Sequence, residues 1–264
     1  MQRLNEIMYS KIIHYSIDDT ILVFKQLTEQ QPNSIFELDM FAFLKRLHDK
    51  YGIVVSCYCF FKTGNFTLAA CTRSYKGEFE ANSSWLRFGF HGYSGNEDYV
   101  QQDIAVSSAQ YEQVMYSLME IVGESSIDSF PRIHTFQASQ NFIFWMNSYK
   151  HIPIVGLLTA DDSRLSYSLN SQQCRQLNTV GTMDMRGLAF LRTTQRFDSL
   201  RPKKIKRLFA NMGGQEILFT HEWVFFPMTF KLRIKAVIIK IIMFKIASFY
   251  TKRNYTPSFP MDKI

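Results

Sequence analysis

The chain is poor in cysteine, proline and glycine. Its 264 residues hold four Cys, seven Pro and twelve Gly. Four cysteines without a Cys-x-x-Cys pair exclude a disulfide-stapled scaffold. So little Gly and Pro excludes collagen-like and low-complexity chains. Charged residues are 20% of the chain against 46% hydrophobic, whereas a disordered chain needs the reverse balance. No uninterrupted apolar run reaches the ~18 residues of a membrane-spanning helix. The nearest approach, Ala236 to Ala247, is broken by Lys240 and Lys245.

Acidic residues are scarce in one region. Residues 201–264 carry 13 Lys+Arg and three Asp+Glu, whereas residues 1–200 carry 17 and 20. The overall charge of +7 therefore belongs to the last quarter, and the body is mildly acidic. That removes most of the force from a nucleic-acid reading, and no DNA- or RNA-binding motif is present. The start, Met1-Gln2-Arg3-Leu4-Asn5-Glu6-Ile7, lacks the apolar stretch of a signal peptide. A cytoplasmic protein with free thiols is expected. Cys57 and Cys59 alternate along an apolar run and read as small core residues on one strand face.

Strand-like and helix-like segments alternate. Strands are expected at Lys11–Tyr15, Val54–Phe61, Trp85–Phe90, Arg132–Phe136, Ile154–Thr159, Leu188–Thr193, Glu216–Thr220 and Tyr255–Phe259. Helices are expected at Phe36–Tyr51 and Ser107–Val122, where apolar residues recur at helical spacing before Gly52 and Gly123. Arg201–Ala210 reads as a basic helix and Pro227–Tyr250 as the last one. The 230–250 stretch is apolar and basic together. It reads either as a terminal helix packed on the domain with its lysines reaching to water, or as a helix on a membrane surface.

This alternation argues for a parallel α/β sheet, read as one domain over residues 1–264. Asp18/Asp19, His91, His134, Asp161/Asp162 and His221 all sit at or just past the C-terminal end of an apolar run. In a barrel of parallel strands those ends share one rim, where active sites form. Asp18 and Asp19 read either as site carboxylates or as a helix cap before Thr20-Ile21. His91 and His134 read as ligands or as structural histidines. Arg132 suits holding a carboxylate. His221 is placed to protonate a leaving group, and Trp223 to stack on a sugar face or in the core. Asp161 and Asp162 read as ligands or as loop partners of Arg164. His14, His48 and His151 receive no role.

Taken in order, Ser16-Ile17-Asp18-Asp19, Gly-Phe-His91, Arg132-Ile-His134 and Leu218-Phe-Thr-His221 resemble the motifs of the polysaccharide deacetylase superfamily, carbohydrate esterase family four and its relatives. The resemblance spans residues 10–260 and implies a distorted (β/α) barrel. It makes Asp18 the general base, Asp19 and His91 metal ligands, Arg132 a residue beside the site and His221 the general acid. The family's second histidine falls at position 95, which is Gly here, and His134 is the chosen replacement. The implied protein is a metal-dependent deacetylase, zinc being the metal that histidine ligands suggest. Its substrate would be an acetylated sugar or polysaccharide in bacterial cell-surface glycan metabolism, met by Trp223 and Asp161. The other expectation is an inactive barrel that binds a glycan or an assembly partner. Peripheral membrane contact through the C-terminal helix is a separate expectation, read from the basic and apolar residues of the 230–250 stretch.

Overall fold

The computed structural model describes residues 11–162, 164–201, 205, 208–210 and 213–263. The elements run β1 (Ile12–Thr20), α1 (Leu22–Gln30), α2 (Asp39–Tyr51), β2 (Val55–Phe60), a small hairpin β3 (Lys62–Thr63) and β4 (Phe66–Thr67), α3 (Lys76–Ala81), β5 (Leu86–Gly92) and α4 (Ile104–Val122). They continue with α5 (Gln140–Ser148), β6 (Gly156–Thr159), α6 (Ser171–Val180), β7 (Thr182–Met185), β8 (Leu188–Arg192), β9 (Gln195–Arg196), β10 (Gln215–His221), α7 (Phe230–Thr251) and β11 (Thr256–Pro257).

β5, β2, β1, β10 and β9 lie side by side, all parallel, and β11 adds to the start of β1. β6 and β8 form a second parallel pair, with β7 antiparallel at its edge. Irregular backbone joins the two sheets into a ring. Asp128 N–H donates to Phe88 O at 2.8 Å, Val155 N–H to Ser129 O at 2.9 Å and Leu158 N–H to Pro131 O at 3.0 Å. On the far side Thr194 N–H donates to Ile217 O at 2.8 Å. The result is the α/β architecture of a distorted (β/α) barrel, with segment 127–132 standing where a regular strand would.

Strand residues alternate between two apolar layers. Ile13, Tyr15 and Ile17 face the helices in the main core, whereas His14, Ser16 and Asp18 face the barrel interior. Tyr58, Phe130, Leu158, Ala189, Leu191 and Ile217, drawn from staves around the ring, form a separate interior cluster. β1 and β2 are buried on both faces, which is why they read as apolar runs rather than as alternation. Cys57, Cys59, Cys71 and Cys174 are all buried free thiols.

Several boundaries move. β1 runs past Tyr15 through both aspartates. α2 starts at Asp39 behind a 3-10 turn at Ile35–Glu37, and it ends on Gly52, whose φ of 69° lets its N–H reach His48 O. Arg132–Phe136 is not a strand: it is extended chain followed by a 3-10 turn at His134–Phe136, with Thr135 and Phe136 at positive φ. α1, α3, α5 and α6 had no counterpart among the expected elements. The basic helix expected over Arg201–Ala210 lies largely outside the described residues.

Candidate functional site

The site begins with a distortion of β1. Its register against β2 shifts between Ile17 and Thr20, and Asp19 sits at φ 61°. Adjacent strand residues normally point to opposite faces, but a bulge re-aims one of them. Asp tolerates positive φ better than most residues. Asp18 lines one cavity at the barrel mouth, of about 190 Å³, and Asp19 lines its neighbour, of about 810 Å³, with His134 on the wall of both.

Asp18 is anchored by Arg132. Arg132 Nη1 donates to Asp18 Oδ1 at 2.7 Å and to Ser16 Oγ at 2.8 Å, while Nη2 donates to Thr193 Oγ1 at 3.0 Å. The guanidinium lies 4.2 Å from the centre of the Phe219 ring and 5.5 Å from that of Tyr58. Arg132 is wholly buried and Asp18 nearly so. A buried pair of this kind holds only while both partners stay.

His91 is fixed at both nitrogens. Nδ1 meets the carbonyl of Arg132, which can only accept, so Nδ1 carries a proton. Nε2 stands 3.1 Å from Asp19 Oδ1. Burial pushes the Asp19 carboxyl up, but the His91 bond and the charges of His91, His221 and His134 outweigh it and hold Asp19 below the usual range. His134 stands close by, its ring centre 5.4 Å from that of His91, and Phe60 packs against both. Burial, then His91, lowers the His134 pKa.

His221 closes the mouth opposite. Its Nδ1 donates to Asp198 Oδ2 at 3.2 Å, and Arg196 Nε meets the other oxygen at 3.1 Å. Burial pulls the imidazole down, but the Asp198 bond and the charges of Asp18, Asp19 and Asp198 raise it above its ordinary value. Asp198 was missed in the sequence. Its signal is modest: an acid just past β9, in Phe197-Asp198-Ser199. Glu222 was missed too. It is buried beside His221 and accepts the backbone N–H groups of Ile21, Leu22 and Val23 at 3.0, 2.8 and 2.8 Å. The helix cap proposed for Asp18 or Asp19 is therefore supplied by Glu222, and no side chain of α1 caps its own start. Burial pushes the Glu222 carboxyl up to about 7.

The remaining expected residues divide. Asp161 lines the smaller cavity and accepts Arg196 N–H at 3.1 Å, while Asp162 pairs with exposed Arg164 at 2.7 Å. Trp223 lines the larger cavity with Lys235 5.0 Å above its ring. His14 lies in the barrel interior with neither ring nitrogen hydrogen-bonded.

Donor placement tests the expected zinc. Asp19 Oδ1 and His91 Nε2 present two donors side by side, with His91 oriented by the Arg132 carbonyl as metal-bound histidines are. Among the described residues, however, no group of three or more His, Cys, Asp or Glu side chains is placed to hold a metal ion. A catalytic zinc takes three protein ligands, so the donor set does not fit it. The resemblance would put a further histidine at position 95, where this chain has glycine. Gly95 sits at φ 86°, with Phe60 Cζ 3.1 Å from where a Cβ would stand. Glu97 holds that loop by accepting the N–H groups of Ser94 and Gly95, each at 2.9 Å.

No protein-family model matches the chain, and no curated protein matches it. Its fold is similar to that of solved structures from carbohydrate esterase family 4. One is an esterase of that family from Streptococcus mutans, at 10% identity over 97% of this chain and 88% of that one, with a TM-score of 0.48. A second is the catalytic domain of a peptidoglycan N-acetylglucosamine deacetylase from Eubacterium rectale, at 15% identity over 95% and 89%, with a TM-score of 0.44. A third is a family 4 pseudoenzyme from Bacillus anthracis, at 8% identity over 94% and 63%, with a TM-score of 0.39. At 8–15% identity the likeness to these structures is one of fold.

Proposed function

We propose that the chain is a hydrolase acting on an acetylated sugar, with Asp18 and His221 as its base and acid. The observation that carries this reading is convergence. Asp18, His91, His134, Asp161 and His221 line one cavity, although they come from β1, β5, a 3-10 turn, the loop after β6 and β10. His221 brings to that cavity an imidazole hydrogen-bonded to Asp198, the pairing a general acid uses.

Asp18, positioned by Arg132, takes a proton from water as the water oxygen bonds to the acetyl carbonyl carbon. The C–N or C–O bond to the sugar then breaks, and His221, kept protonated by Asp198 and the neighbouring aspartates, gives its proton to the departing amine or alkoxide, leaving acetate. His91 lines the same cavity, and its Nε2 meets Asp19, which faces the larger cavity, at 3.1 Å. Trp223 offers an apolar plane in the larger cavity, where a sugar ring would stack.

A second reading has its own observation. Among the described residues there is no three-donor group, and position 95 is glycine, which favours a barrel that binds a glycan without cleaving it. One experiment separates them. The purified chain is incubated with an N-acetylated oligosaccharide, with and without added zinc, and acetate release and sugar binding are measured. Acetate release that disappears in His221→Ala at unchanged binding supports the hydrolase. Sugar binding without acetate release supports the binding module.

A further inference from the structure

α7 carries apolar residues on two opposite faces. Ala236, Ile239, Met243, Ile246, Ala247 and Tyr250 point into the core. Phe230, Ile234, Val237, Ile238 and Ile241 do not: each is 49–78% exposed. Their spacing of 4, 3, 1 and 3 residues puts them on one helical stripe about 16 Å long, at 1.5 Å per residue. Met228, 91% exposed just before the helix, extends it. Near its end the stripe opens into a cleft of about 440 Å³ walled by Phe43, Val237, Ile241 and Phe244.

The charges that α7 itself carries around the stripe are all positive, and from α2 both Asp39 and Arg46 act on Lys240. At 100° per residue Lys231 and Lys235 fall along one flank, and Arg233 and Lys240 along the other. No Asp or Glu occurs between Trp223 and Phe259. Lysine reaching from a buried stem does not explain this pattern. Of these four, Lys231, Arg233 and Lys235 are exposed, and only Lys240 is half-buried, over the Phe43 and Phe225 rings. Among the described residues no helix is long and apolar enough to cross a membrane.

We propose that this face lies on the surface of an anionic phospholipid bilayer. The apolar stripe enters the headgroup and acyl boundary, and the flanking cations meet lipid phosphates, as interfacial helices do. A second copy of the chain is a poor occupant, because its own flanks would set Lys and Arg against Lys and Arg. Lys235 over Trp223 places this face beside the larger cavity. The docking is independent of whether the site turns over substrate.

The test is co-sedimentation of the full chain with phosphatidylcholine vesicles and with phosphatidylcholine/phosphatidylglycerol vesicles. Binding to the mixed vesicles should be at least about tenfold tighter and should weaken with salt. Val237→Glu/Ile241→Glu should abolish it, and Lys231→Glu/Lys235→Glu should weaken it about tenfold or more. All four positions are exposed, so the fold should survive, which an unchanged melting temperature verifies. Three results overturn the proposal: no binding to mixed vesicles, equal binding by Val237→Glu/Ile241→Glu, or a dimer that this variant dissolves in a chain that ignores vesicles.

Discussion

Replacing Arg132 with Met should be the most damaging single change at the site. Arg132 is wholly buried and gives three side-chain hydrogen bonds, to Asp18, Ser16 and Thr193. Methionine keeps most of the packing against Phe219 and Tyr58 but leaves the Asp18 carboxylate without its partner. Removing one member of a buried pair costs about 3–5 kcal/mol, because the survivor keeps its desolvation penalty. For a chain of this size that is a fall in melting temperature of roughly 6–20 °C. Urea denaturation gives the free energy directly. The double variant Arg132→Met/Asp18→Leu removes both charges, and it should recover at least half of the loss. A single-variant cost below about 1 kcal/mol, or a double variant no better than the single, would refute the assignment of this pair as the buried anchor of the mouth.

Three further outcomes follow from the same geometry. Glu222, whose folded pKa is raised to about 7, favours its neutral form in the folded state, so its contribution is present at low pH and is lost as pH rises through 7. Glu222→Gln should therefore remove a stability slope of up to about 1.4 kcal/mol per pH unit between pH 5 and 7, read by urea denaturation at each pH. Asp198→Asn removes the hydrogen-bonding carboxylate that raises His221. The alkaline limb of the turnover profile should move to lower pH, and an unmoved limb counts against His221 as the acid. Gly95→His should not restore a metal site: with φ at 86° and Phe60 in the way, it should cost about 1–3 kcal/mol and bind no more zinc by elemental analysis than the parent.

The strand ends were legible because parallel strands write themselves as apolar runs, and the polar residue that stops each run marks the rim. Asp18, His91 and His221 were readable in this way. His134 was placed near the others but for the wrong local reason, since Pro131 and the buried Arg132 keep that segment extended before it turns. The two-carboxylate reading depended on a bulge that no local pattern announces. Asp198 and Glu222 were invisible because their roles arise from contacts 23 and about 200 residues away in sequence. α1 and α6 escaped because polar residues interrupt their apolar faces, and α5 because its continuous run Phe142–Met146 is too short to show a helical period. The outer face of α7 shows the opposite limit: its apolar residues were plain in the sequence, but which of them stay uncovered is set by tertiary packing.

The most direct test of the account is acetate release from an N-acetylated oligosaccharide by the parent chain and by His221→Ala, with sugar binding measured on both. A hydrolase with His221 as its acid gives release by the parent, none by the variant, and the same affinity for the sugar. A parent that binds the sugar and releases no acetate, or a variant that turns over as fast as the parent, would contradict it.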